Sequence, residues 1–265
     1  MVDVRYNSHI SREGGFGCAD TFFFFFFLFR WVDADSIIIN PAIPAEIFLP
    51  PADVPEIHMV SAKDQNGLNT GIMFLHVHAW TVGFLTATLA YPLWHPDEDL
   101  GFSADQEAMA RLLRLCTGGP EGRGYCEGNV YLPRPWINTY EWHHAYEGKK
   151  GDMLVHFPGL QDARWSHMAD WLDVVEKNRR QWEVPLEQTD YPGKIAGFWD
   201  RFRAARDAAN AVQEDIFLAP QGASTVAREA AVAQVRDALQ EHADEPEVLQ
   251  QRLGELRAAV SRETS

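Results

Sequence analysis

From Trp31 to about Trp182 the chain alternates short apolar runs, each ended by Asn, Pro or Gly, with stretches whose apolar residues recur every three or four positions. A short apolar run closed by turn formers reads as a buried strand, and a period of three to four reads as a helix lying on a core. Alternation of the two predicts an α/β domain. Gly71 to Val77 (GIMFLHV) and Met153 to Phe157 (MLVHF, before Pro158-Gly159) read as strands. Ser36-Ile37-Ile38-Ile39, stopped by Asn40-Pro41, reads as a strand end or the start of a short helix. Helices are expected over Ala79 to Tyr91, Ser103 to Leu115 and Ala163 to Trp182, the last on the spacing of Met168, Trp171, Leu172, Val175 and Trp182.

The two ends differ from this middle. Residues 1 to 30 show no period of 2 or 3.6 and run into FFFFFFLF at 22 to 29. A buried parallel strand is continuously apolar and gives one explanation. The codon table gives another. Phenylalanine codons are pyrimidine-rich, and a translated polypyrimidine tract ending at a splice acceptor would read as this run followed by Arg30. Residues 1–30 are therefore expected to be retained intron or a mispredicted start. Beyond about Arg201 the composition turns to Ala, Glu, Gln and Arg, with Val226, Val232, Val235 and Leu239, then Leu249, Leu253, Leu256 and Val260, at helical spacing. Pro246 suits the first position of the second of these helices. Residues 201–265 are expected to form a helical tail, either solvated or holding a partner.

Composition narrows the function. A formal charge of -15 and a pI near 5.0 repel a phosphate backbone, so nucleic acid is not an expected partner. A phosphorylated small molecule stays compatible, because a bound divalent cation reverses the field locally. Cys18, Cys116 and Cys126 lack zinc-site spacing; Cys116 and Cys126 flank a turn-rich stretch and read equally as a disulfide or as two unrelated thiols. No apolar run approaches the ~20 residues of a spanning helix.

Among residues that could carry chemistry, Asp33-Ala34-Asp35 follows an apolar segment. On an extended strand residues two apart project to one side, so both carboxylates could meet one hard cation at a strand's C-terminal edge, where α/β folds bind ligands. The plainer reading is a solvated acidic turn. His156, in an apolar strand, is an acceptable ligand beside carboxylates, or else a core histidine bonded to a backbone carbonyl. Ser103 and Gln106 fit a capping box and Asp105 suits a helix N-terminus, while Asp105 and Gln106 could equally grip sugar hydroxyls. Asn69-Thr70-Gly71 reads as a turn, with Asn69 able to contact a ligand. His76 and His78 would make half of a zinc site, with no third ligand at a helpful local spacing.

Taken in order, WVDADSIIINP, DQNGLNTGIMFLHVHAW, ADQEAMARLL, PWINTY and YEGKKGDMLVHFPG resemble the fungal α-1,2-galactosyltransferase and α-1,6-mannosyltransferase family, related to plant xyloglucan xylosyltransferases. The resemblance runs from about Trp31 to about Trp182, within an expected domain of residues 31–200. It implies a GT-A-like α/β fold, incomplete at its N-terminal side, in a Golgi membrane protein with its catalytic domain on the lumenal side. It also implies a retaining, metal-dependent transfer of galactose or mannose from UDP-galactose or GDP-mannose to a glycan acceptor. Carried over, Asp33, Asp35 and His156 become the manganese ligands and, with Asn69, Gly71 and Gly159, the donor-binding set. Asp105 and Gln106 fall where the family grips the sugar and are the catalytic candidates. His76 and His78 stand where many members carry Arg and Ser, and Gln161 where the plant enzymes carry a basic residue. Only 32 residues precede Asp33, too few for a nucleotide-binding half, so this chain is expected to hold the metal ligands without turning over donor. The rival expectation is a non-catalytic product or partner subunit of a glycosyltransferase complex, assembled through the C-terminal helices.

Overall fold

A computed structural model describes residues 28–116, 124–142, 145–220 and 225–263. The phenylalanine tract up to Phe27 and the reading of residues 1–27 as intron lie outside them. The chain is mixed α/β. Its main sheet is built from β1 (Leu28–Val32), β4 (Gly67–His76), β3 (Met59–Asp64) and β5 (Asn129–Tyr131), in that order across the sheet. The first two pairings are antiparallel, and β3 with β5 is parallel, so the sheet is mixed. β1 includes Leu28, Phe29 and Arg30, which places the expected boundary at residue 30 inside a strand.

β4 explains why its sequence is apolar without a break. Ile72 and Phe74 point to one face of the sheet, and Met73 and Leu75 to the other, each into its own core. A strand covered on both faces has no solvent side for polar residues. One cover is α1 (Ala79–Trp94) with α2 (Ala104–Leu113), packing Phe84, Tyr91, Met109 and Leu112 over Met73 and Leu75. The other is a bundle of α6 (Tyr191–Phe217), α7 (Val226–Glu241) and α8 (Pro246–Glu263), packing Phe198, Phe202, Val235 and Leu256 in the core of Val60, Phe74 and Val130.

This second layer corrects the expected helical tail. α6 runs unbroken across residue 200, and Ala205, Val235 and Leu256 are as buried as the sheet residues they cover. The Ala-rich composition that reads as a solvated helix serves close packing: Ala205 and Ala209, nearly inaccessible, let neighbouring elements approach. Lys63 of β3 reaches over to accept-side partners on the bundle, donating to the Glu241 carbonyl and pairing with Asp244 at 3.8 Å.

A smaller ribbon completes the molecule. β2 (Ser36–Ile38) pairs antiparallel with β8 (Leu154–His156), and α4 (Arg164–Lys177) and α5 (Arg179–Trp182) cover Ile37, Val155 and Phe157. The single helix expected over Ala163 to Trp182 is interrupted at Asn178, whose φ/ψ of -126°/27° leaves the helical region. Short elements between these are α3 (Arg134–Ile137), β6 (Glu141–Trp142) and β7 (Ala145–Tyr146). Cys116 and Cys126 are joined as a disulfide, settling in favour of pairing what their spacing leaves open. Among the described residues no helix is long and apolar enough to cross a membrane.

Candidate metal centre

The chain passes from β1 to β2 through a tight turn at Asp33-Ala34-Asp35, held by the Asp33 amide donating to the Gly71 carbonyl at 2.8 Å. The two carboxylates therefore converge through a turn, and not along an extended strand as the i, i+2 argument requires. Pairing of β2 with β8 sets Ser36 opposite His156, which carries the histidine to the same turn across 121 residues. Asp33, Asp35 and His156 then offer ligand atoms all within 4.8 Å of one another. His156 Nε2 stands 3.3 Å from Asp35 Oδ1, and Arg164, at the start of α4, donates to Asp35 Oδ2 at 3.2 Å.

Behind His156 lies a hydrogen-bond chain whose direction is fixed from its far end. The Asp64 carboxylate can only accept when ionised, and it does so from Tyr140 Oη (2.9 Å) and Asn69 Nδ2 (3.3 Å). Asn69 therefore turns its Oδ1 to the Asn138 Nδ2 (2.8 Å) and to the Gly71 amide (3.0 Å). Asn138 in turn presents Oδ1 to His156 Nδ1 at 2.7 Å, so that ring nitrogen is the donor. Nε2 is left to face the carboxylates, either donating to Asp35 or, with its proton gone, lending a lone pair to a cation. A histidine oriented through its second nitrogen is the usual support of a metal ligand.

Gly71 makes room for this ring. A Cβ there would lie 2.4 Å from His156 Cε1, closer than any side chain tolerates. The residue expected to approach a donor sugar thus has a demonstrable steric duty to the histidine, and Asn69, expected as a donor contact, is buried in the supporting chain. Asn138 and Asp64 complete that chain without having been singled out in the sequence.

The carboxylates are electrostatically unlike. Burial pushes Asp33 above the usual carboxylate range, reinforced by Asp35 and Asp105 and opposed by the Trp31 indole, which donates to Oδ1 at 2.9 Å, and by His156. Burial also pushes Asp35 upward, but the hydrogen bond and charge of His156, with the Arg164 guanidinium, outweigh it and hold Asp35 below its ordinary value. The start of α2, which carries Asp105 and Gln106, is tied to β4 one residue before Gly71. Ser103 occupies the cap position there without a side-chain hydrogen bond, so the expected capping box does not form. Gln106 reaches across instead, its Oε1 accepting from the Thr70 amide at 3.1 Å and hydroxyl at 3.3 Å. Gly159 sits three residues beyond His156 at φ +73°, facing the Trp142 ring.

Two carboxylates and one imidazole form an oxygen-rich set that suits a divalent cation of the magnesium, calcium or manganese type. The same donors serve these ions alike. Comparison with family models, with curated proteins and with solved structures finds no match for this chain.

Proposed function

We propose that this chain is a metal-dependent retaining hexosyltransferase that moves galactose or mannose from a nucleotide-sugar to a glycan hydroxyl, in the Golgi lumen. The observation that carries the reading is the meeting of Asp33 and Asp35 with His156, beside Asp105. A manganese ion bound there would neutralise charge building on the leaving diphosphate. Asp33, Asp35 and His156 would hold it, with Asn138 fixing the imidazole. Arg164 supplies a second positive group that can turn from Asp35 to a phosphate oxygen. Asp105 would stabilise positive character on the sugar, and Gln106 holds Asp105's helix against β4.

The reading is tested by manganese titration followed by electron paramagnetic resonance, with and without UDP or GDP. Binding of one manganese per chain, tightened by a nucleoside diphosphate and lost in Asp35→Asn with the fold intact by circular dichroism, is expected. Failure of the wild-type chain to bind manganese overturns it, as does binding that neither nucleotide strengthens.

A further inference from the structure

The other end of β4 carries a second group of potential ligands. His76 ends that strand, His78 precedes α1, and antiparallel pairing brings in His58 from the residue before β3, with the His76 amide donating to the His58 carbonyl at 2.8 Å. His58 Nδ1 and His76 Nδ1 stand 3.4 Å apart. Two nitrogens on one tetrahedral zinc, at ~2.0–2.1 Å each, lie about 3.3 Å apart. The His78 ring lies face to face on His58, with centroids 4.1 Å apart and planes 9° from parallel. We propose that His58, His76 and His78 form a binding site for a borderline first-row dication such as Zn²⁺, separate from the Asp33–Asp35–His156 centre. His58 and His76 supply the primary pair, and His78 adds a third nitrogen as its ring turns, giving up the hydrogen bond by which its Nδ1 accepts from the Trp80 amide.

Three features support this assignment. An all-imidazole set prefers zinc, nickel, cobalt or copper over magnesium and calcium, so it selects a different ion from the carboxylate centre. Burial, followed by the two neighbouring rings, lowers the His58 pKa to about 4, so its ring is neutral and able to ligate at neutral pH. The chain's formal charge of -15 favours the approach of a dication. From Gly71, which bonds Asp33, to His76 is five residues of strand, or about 17 Å, so one ion cannot serve both sites.

Cobalt is the optical probe, added to the chain with the carboxylate centre saturated by Mg²⁺. One equivalent of Co²⁺ is expected to bind with the visible absorption of low-coordinate nitrogen ligation, and Zn²⁺ to displace it. His58→Gln and His76→Gln should each weaken binding by at least about tenfold, with Asp35→Asn leaving it unchanged. Independently of any variant, Zn²⁺ should slow carbethoxylation of His58 and His76 in the wild-type protein. The proposal is overturned if wild-type protein binds neither ion, if binding survives in both histidine variants, if Asp35→Asn abolishes it, or if zinc leaves the modification rates unaltered.

Discussion

At the scale of residues, His156 depends on atoms that touch no cation. Asn138→Leu removes the acceptor for Nδ1 and is expected to weaken manganese binding by roughly 10- to 100-fold, read by paramagnetic resonance. Gly71→Ala should do the same by displacing the ring, with an overpacking cost of about 1–3 kcal/mol seen in urea unfolding. His58 gives a pH dependence whose sign follows from its lowered pKa. The unfolded chain takes up a proton near pH 6.5 and the folded one near 4, so stability is complete above pH 6.5 and falls between 6.5 and about 4. In chelator, His58→Gln should lose less melting temperature than wild type between pH 7 and 5. Asp33, Asp35 and His156 are singled out in the sequence through the resemblance of five ordered motifs, since taken alone the first two read as a solvated acidic turn and the third as a core histidine. The supporting Asn138 and Asp64, and His58, are not, because each gains its role from partners between 5 and 76 residues away that no local pattern reveals.

At the scale of elements, helices and strands were readable where their periodicity was strong. α2 falls where its apolar pattern puts it; β4 starts at Gly67 and runs through Asn69-Thr70-Gly71, expected as a turn, because those residues pair with β3, and the split between α4 and α5 at Asn178 carries no Pro or Gly to announce it. α2 also shows how a local rule yields to tertiary structure. Ser103 and Gln106 have capping-box spacing, yet the amide serves Thr70 on the sheet and so fastens the helix start beside Asp33. Gln106→Ala is expected to cost about 1 kcal/mol in chemical unfolding, the worth of a buried hydrogen bond, whereas Ser103→Ala, which has no side-chain cap to lose, should cost less.

At the scale of the molecule, the helical bundle and the sheet share one core. Composition alone suggests an appendage because alanine reads as neutral to solvent, whereas here its small size is what permits tight contact. Ending the chain after residue 200 would strip Phe202, Val235 and Leu256 from Val60 and Phe74, and each large side chain so uncovered is worth about 1.5–3 kcal/mol. The shortened chain is expected to show no cooperative thermal transition by circular dichroism. An unchanged melting temperature would restore the appendage view. The candidate metal centre hangs on the same economy, since β4, whose Gly71 carbonyl anchors its turn, is covered on both faces by the two helical layers.

The indole of Trp31 donates its hydrogen to the same Asp33 oxygen that a cation would compete for, at the half-exposed edge of β1. The protein therefore carries an intrinsic fluorophore joined to the candidate metal centre. Occupation of Asp33 should change the emission of that ring, and the difference between wild type and Trp31→Phe isolates its signal from the other eight tryptophans. Binding to the carboxylate centre becomes readable in real time, in unlabelled protein, while an ion taken by the histidines at the far end of β4 leaves this channel silent.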